Sequence, residues 1–277
     1  KIFKKLNYNC FLQTDSKIVK DIINLCPDIV INDCLNTDLD FINSLKESNL
    51  KVINFEDIGS GSLKADLVIN AMYNYESKIE NHFYGSRYFI LRDEFLSLKP
   101  KEINGSVKNV LLTFGGVDPN DFTLKTLKSI SDYCFKNDII ITVILGQGYH
   151  NISSIEDAFP DIKIVINTKF ISNYIQNADI IFSSAGRTTF EAASLGIPTI
   201  VLCQNRREIT HFFAQQSNGF INLGLGTEVN NQTILDNFED LCLSKTKRFK
   251  LNEMLRKNKL RQGRNQVLKL IKKVIDE

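Results

Sequence analysis

Short apolar runs punctuate this chain, and most of them are apolar on both faces. DIVIND (Asp28–Asp33), LKVINF (Leu50–Phe55), ADLVIN (Ala65–Asn70) and RYFIL (Arg87–Leu91) form a first series. VKNVLLTFGG, DIIITVILG, IKIVIN, ADIIFSSAG, PTIVLCQ and GFINLG, between Val107 and Gly224, form a second. Runs this short with little polar alternation are what parallel strands buried on both faces require. Helical patterns lie between them, among them Leu124–Lys136 and Ile171–Asn177. Strand alternating with helix predicts an α/β protein whose parallel sheets are covered on both sides.

A polar stretch with Pro, Gly and Lys, SLKPKEINGSVKN (Ser97–Asn109), separates the two series and sets a boundary near Leu98. Two α/β units are expected, 1–98 and 99–277. The first is short for a complete doubly wound unit. It also has no glycine before Gly59, hence no glycine-rich first turn.

Composition narrows the function classes. The formal net charge is +2, which gives no electrostatic case for nucleic acid. The locally basic stretch Lys245–Lys273 carries apolar residues at helical spacing and reads as a solvated C-terminal helical face. No apolar run reaches the length of a membrane span, and no signal peptide is expected. The six cysteines form no Cys-x-x-Cys pair, which fits a reducing cytoplasm. Cys203 is expected to pack as a core residue. No His/Cys/Asp/Glu spacing predicts a metal site, and no cofactor is expected. The first residue is Lys1, so the chain is expected to be a piece of a longer protein.

In open parallel sheets ligands bind where strands end and helices begin. Two such turns carry suitable chemistry. In LLTFGGVDPND, a strand runs into Gly115 and Gly116, which permit positive φ and close approach of a ligand, then into Asp118-Pro119. The alternative is a plain turn with an aspartate cap. In FSSAGRTTFEAASLG, a strand ends at Ser183, Ser184, Ala185 and Gly186, and a helix is expected from about Thr188. Free N–H groups and the helix dipole favour an anion there, Arg187 adds charge, and Glu191 can accept hydrogen bonds from two ribose hydroxyls. Against that, Thr188-x-x-Glu191 also matches a capping box, which needs no ligand. A third segment, CQNRREITHFFA, clusters Gln204, Asn205, Arg206, Arg207, Glu208, Thr210 and His211 just after a buried strand, as a sugar or phosphate site would.

Together, LLTFGGVDPNDFTLKTL, ILGQGY, ADIIFSSAGRTTFEAASLGIPTIVLCQNRREITHFFA and NGFINLGLG resemble the PseG/SpsG family, UDP-sugar hydrolases of pseudaminic acid synthesis and spore-coat polysaccharide proteins related to the MurG glycosyltransferase. PDIVINDC, VINFEDI, ADLVINAMY and YFILRDEF extend the resemblance to the N-terminal part. It implies a GT-B-like fold of two Rossmann-type parallel-sheet units: a truncated N-terminal unit on the acceptor or sugar side and a C-terminal nucleotide-sugar-binding unit. By the same resemblance, Ser184, Gly186, Arg187, Thr188 and Thr189 would hold phosphate and Glu191 the ribose. Lys169, Phe170 and Ile171 would lie near uracil, and Gly115 and Gly116 would line the cleft floor. Gln204, Asn205, Thr210 and His211 would face the sugar or β-phosphate.

The family's opening Gly-x-Gly-His-x-x-Arg turn, whose histidine is the expected base, has no counterpart here, and RQGRNQV stands where the family carries Asp-Gly-x-Gly. His211 is therefore the first candidate base, with Asp33 and Asp57 behind it. The expected activity is hydrolysis of a UDP-amino sugar in nonulosonic acid or surface-polysaccharide synthesis. The alternatives are a GT-B glycosyltransferase, or a non-catalytic nucleotide-sugar-binding partner of a CMP-sugar synthetase. RREITHFFA resembles versions fused to such a cytidylyltransferase domain.

Overall fold

The computed structural model describes residues 9–10, 17–73, 78–103 and 105–276, so Lys1 lies outside the described residues. The chain divides into two compact units. One comprises Lys1–Asn70, Lys78–Phe83 and Leu268–Glu277, the other Ala71–Ser77 and Tyr84–Val267. Both are built on parallel strands alternating with helices.

In the first unit, helix α1 (Ile18–Asn24) precedes strand β1 (Ile29–Asp33), helix α2 (Leu39–Glu47) and strands β2 (Lys51–Phe55), β3 (Leu67–Asn70) and β4 (His82–Tyr84). These strands lie side by side in the order of their numbers. β1, β2 and β3 run parallel, with Val30 opposite Val52 and Ile53 opposite Leu67. Ile42 and Leu45, three residues apart on α2 and so on one face, close over Val30, Val52 and Val68.

RYFIL, expected as a strand, is not one. A 3-10 turn occupies Ser86–Tyr88 and the sheet strand lies earlier, at His82–Tyr84. Gly85, at φ 100°, turns the chain between them. Phe89 and Leu91 are buried by side-chain packing instead of sheet pairing, Phe89 by stacking on Phe190 with ring centroids 3.9 Å apart. A buried apolar run looks the same in sequence whichever way it is buried.

The second unit begins with a short helix, α3 (Asp93–Leu96). Six strands and their helices follow: β5 (Asn109–Thr113), α4 (Phe122–Lys136), β6 (Ile140–Leu145), α5 (Ile152–Ala158), β7 (Lys163–Ile166), α6 (Ile171–Asn177), β8 (Ile180–Ser183), α7 (Arg187–Leu195), β9 (Thr199–Cys203), α8 (Arg206–Ile209) and β10 (Ile221–Leu225). Helices α9 (Asn231–Leu243), α10 (Lys245–Arg256) and α11 (Gly263–Asp276) complete the chain. Every strand pairing in this sheet is parallel, in the order β10-β9-β8-β5-β6-β7. Counted within the unit, that order is 6-5-4-1-2-3, the doubly wound arrangement whose direction of winding reverses between β5 and β8.

Side chains alternate between two cores, as the pleat demands. Val110, Leu112, Val143 and Phe182 face Leu127, Ile130, Ile234 and Phe238 of α4 and α9. Leu111, Ile144 and Ile181 face Ile175, Ala192 and Leu195 of α6 and α7. α7 is fixed along its length. Phe190 lies between Phe89 and Phe213, each ring 3.9 Å away. At its end Gly196 takes the left-handed conformation at φ 71°, and Asn252 Nδ2 donates to the Gly196 carbonyl at 2.7 Å.

Candidate functional site

The reversal between β5 and β8 brings together the two turns singled out in the sequence. β5 ends at Thr113 and β8 at Ser183, residues paired in register. Gly115 and Gly116 follow the first strand and are exposed, and a side chain added at either would meet nothing within 4 Å. Gly115 sits at φ 89°, which favours glycine. Asp118 behind them is buried and caps α4. Its carboxylate accepts from the amides of Phe122 at 3.0 Å and Thr123 at 2.8 Å. The aspartate is thus a structural cap, while the glycines border open space.

Past β8, α7 begins at Arg187 with Gly186 as its N-cap, and no side chain caps it. This overturns the capping-box pattern: Thr188 lies inside the first turn and Glu191 turns elsewhere. Glu191 Oε1 instead accepts from Arg92 Nε at 2.7 Å. Arg92 also pairs with Glu94 at 3.0 Å, and Glu94 accepts from the hydroxyl of Ser172 at 2.6 Å. The chain Glu191–Arg92–Glu94–Ser172 therefore ties the expected ribose carboxylate to the start of α6. There Lys169 and Phe170 are exposed and Ile171 is half-buried. Burial pushes the Glu191 carboxyl up, Arg92 and Arg187 pull it back, and the net direction is upward.

Around the turn, Ser184 and Thr189 are buried, Gly186 and Thr188 half-buried and Arg187 exposed. Thr189 Oγ1 donates inward to the Gly186 carbonyl at 2.7 Å. Arg187 lies over the Phe89 ring at 4.9 Å. Glu208, on the short helix α8, accepts from the amides of Gln204 at 2.8 Å and Ala185 at 3.2 Å, and Ser184 bonds to it as well. It joins the ends of β8 and β9. Burial raises its carboxyl, and these three bonds oppose the rise.

Gln204 is buried in a network of its own. Its Nε2 donates to Asp118 at 2.6 Å and its Oε1 accepts from Asn120 at 2.9 Å. Asn205 is exposed and caps α8 by accepting from the Glu208 amide at 3.0 Å. Thr210 is exposed and donates to the Arg207 carbonyl. His211 is buried, its Nδ1 2.8 Å from the Ala185 carbonyl. A carbonyl only accepts, so Nδ1 carries the proton and Nε2 keeps the lone pair. Burial holds His211 below its ordinary value, Arg207 adds to that, and the Ala185 bond opposes it. Cys203 is fully buried, and its thiol is pushed up to about 11, chiefly by burial.

Asp33 and Asp57 lie in the first unit. Asp33 is exposed at the carboxyl end of β1. Asp57 is fully buried and accepts from Thr37 N and Oγ1, Asn54 Nδ2 and Gly59 N, at 2.5–2.9 Å. Arg207 and Glu208 belong to the polar cluster marked in the sequence, whereas Arg92 and Tyr73 were not singled out as site residues. Arg92 and Tyr73 are 99 and 134 residues from the partners they meet, and no local pattern marks them.

No family model matches the chain. Three curated relatives do. It is 34% identical over 228 residues to the uncharacterized protein MJ1062 of Methanocaldococcus jannaschii, covering 74% of this chain and 47% of the relative. It is 23% identical to the spore coat polysaccharide biosynthesis protein SpsG of Bacillus subtilis, covering 87% and 75%. It is 24% identical to the Helicobacter pylori protein named pseudaminic acid cytidylyltransferase and UDP-2,4-diacetamido-2,4,6-trideoxy-beta-L-altropyranose hydrolase, covering 81% and 42%. The chain therefore spans about half the length of the first and third of these relatives.

Among solved structures, MurG of Acinetobacter baumannii matches with a TM-score of 0.66 at 14% identity, over 98% of this chain and 86% of MurG. The spinosyn rhamnosyltransferase SpnG, complexed with thymidine diphosphate, matches at 0.59 and 10% identity, over 91% and 76%. S. aureus TarM, in a complex that includes UDP, matches at 0.60 and 12% identity, over 94% and 58%. Two parallel-sheet units and these matches define a protein of the GT-B glycosyltransferase-like fold. The similarity to SpsG and to the Helicobacter protein agrees with the resemblance of the sequence motifs to the PseG/SpsG family. Among the described residues no helix is long and apolar enough to cross a membrane.

Proposed function

We propose that this chain binds a nucleotide sugar through its second unit and hydrolyses it, as part of surface-polysaccharide or nonulosonic acid synthesis. The substrate class is a UDP-activated amino sugar. One observation carries the reading. The reversal point of the doubly wound sheet coincides with a helix start that no side chain caps, Gly186–Thr189, and with an open glycine turn, Gly115–Gly116, at the end of the neighbouring strand. The curated names of two relatives, which concern spore-coat polysaccharide and pseudaminic acid synthesis, support the setting.

In this reading the first-turn amides of α7 and Arg187 take the diphosphate. Glu191, whose Oε1 is held by Arg92, offers Oε2 to a ribose hydroxyl. Phe170, 62% exposed, stacks on the uracil. Gln204, engaged at both ends, positions the β9 turn, while Asn205 and Thr210 reach the sugar. Water attacks the anomeric carbon and the bond to the diphosphate breaks. The bonding pair leaves on UDP, stabilised by the donors at the helix start. The proton goes to a base, and His211, through its Nε2 lone pair, is the first choice. Asp57, holding four donors, anchors its loop.

The fold neighbours whose names describe sugar transferases favour a second reading, in which a sugar hydroxyl replaces the water. The partner reading, a cytidylyltransferase domain in a longer protein, is supported by the Helicobacter relative's name. Calorimetric titration with UDP, CDP and CMP tests the common core. Saturable UDP binding that Glu191→Ala abolishes is the expected result, and no nucleotide binding by the folded chain would sink it. Incubation with a UDP-N-acetylhexosamine and no acceptor then separates the three: free sugar and UDP mean hydrolysis, release only on adding an acceptor means transfer, and binding without turnover means a partner domain.

A further inference from the structure

Building on the nucleotide-site reading, we propose that Arg207 receives an anionic oxygen of the bound nucleotide sugar through its Nη2, with Tyr73 holding the guanidinium in place. Arg207 Nε donates to the Tyr73 hydroxyl at 2.8 Å, and its guanidinium carbon lies 5.8 Å from the centre of the Tyr73 ring. That fixes the plane of the fork. Nη2 is buried and has no hydrogen-bond partner among the described residues. A buried donor left without an acceptor is costly, and a charged one more so.

The adjacent carboxylate does not answer the charge. Glu208 is held by the amides of Gln204 and Ala185, and among the described residues Arg207 makes no salt bridge. Its surroundings are those of the helix start. The Tyr73 ring meets His211 edge-on at 5.3 Å, and His211 bonds to the Ala185 carbonyl while Glu208 bonds to the Ala185 amide. Arg207 thus sits one residue from a group at the end of β8, where the chain enters α7. A pre-oriented guanidinium with a free donor, beside a helix start that favours anions, is suited to an anionic oxygen. Its electrostatic influence on His211 agrees with that placement.

Two groups on a nucleotide sugar present such an oxygen: the β-phosphate, and a carboxylate on the sugar. Both call for the same fork, and affinity separates them. The experiment titrates the full chain with UMP, UDP, UDP-N-acetylglucosamine and UDP-glucuronate, comparing wild type with Arg207→Gln and Arg207→Lys. If the oxygen is the β-phosphate's, Arg207→Gln weakens UDP and both sugars by about tenfold and leaves UMP within about twofold. If it is the sugar's carboxylate, only UDP-glucuronate falls by about tenfold. Arg207→Lys, keeping the charge without the fork, recovers part of either loss.

The assignment is overturned if Arg207→Gln changes all four ligands equally or none. If wild type still binds UDP and Glu191→Ala still abolishes it, the nucleotide site stands and only Arg207 falls. If wild type binds none of the four, both fall together. Should Arg207→Gln fail to melt cooperatively, Tyr73→Phe removes the anchoring hydroxyl and keeps the ring. It is expected to reduce the same selectivity, and unchanged selectivity would count against the assignment.

Discussion

Glu191 shows how far a single residue's role depends on partners its local sequence does not reveal. Thr188-x-x-Glu191 fits a capping box, yet the carboxylate turns to Arg92, 99 residues earlier in the chain. The sequence marked Glu191 as chemically suited to a ribose, because an acid in a first turn is a visible pattern. It could not show that the carboxylate is buried and held by one arginine. That burial has a sign that can be measured. A carboxyl whose folded value lies above its ordinary 4.5 binds its proton more tightly when folded. Its contribution to stability is therefore fully present at acidic pH and is lost as pH rises from about that value through the raised one. Glu191→Gln removes this dependence. The melting temperature of the variant relative to wild type should rise between pH 4.5 and pH 7, in paired thermal melts. A flat difference would mean that Arg92 and Arg187 fully offset the burial. Glu208 is raised as well, but it is present in both proteins and cancels in the comparison.

At the scale of elements, the alternation of strand and helix was legible because parallel strands buried on both faces leave continuous apolar runs. Val110, Leu111 and Leu112 show the reason: successive side chains enter different cores, so none can be polar. RYFIL failed because Phe89 and Leu91 are buried by rings and not by a ladder. Strand order was not legible, since periodicity says nothing of neighbours, and so the meeting of the Gly115 and Gly186 turns could be expected only from resemblance. The turn after β5 separates structure from chemistry within a few residues. Asp118 accepts from two first-turn amides of α4 and from Gln204, whereas Asp121, the formal N-cap at φ 55°, makes no cap bond. Asp118→Ala should cost about 1–2 kcal/mol in denaturant unfolding, the range for a lost cap. The Asp121 carboxylate instead accepts from the Tyr149 hydroxyl at 2.5 Å and from Asn151 at 3.2 Å, so stability alone does not separate the two aspartates. Amide exchange does: protection at Phe122 and Thr123 should fall in Asp118→Ala and hold in Asp121→Ala, and the reverse would mean that the cap had been assigned to the wrong aspartate.

Across the whole molecule, all the residues proposed to touch the nucleotide lie in the second unit, and that division makes a prediction. Asp57, fully buried in the first unit with donors from Thr37, Asn54 and Gly59, is a carboxylate whose removal strands those donors. Asp57→Ala should lower stability by about 3 kcal/mol or more, as loss of a buried hydrogen-bonded charge does. Its effect on UDP affinity should stay within about twofold, because no proposed nucleotide contact depends on the first unit. In the same samples UDP at about a hundred times its Kd should stabilise the binding unit by about 2.7 kcal/mol, in wild type and variant alike. Calorimetry checks the affinity and thermal unfolding checks the shift. A variant that stays folded yet binds UDP at least tenfold more weakly would show that the first unit contributes to nucleotide binding, and the site would have to be redrawn to include Asp57. A variant with unchanged stability would instead mean that the four bonds to Asp57 contribute little, and would return that residue to the list of possible bases.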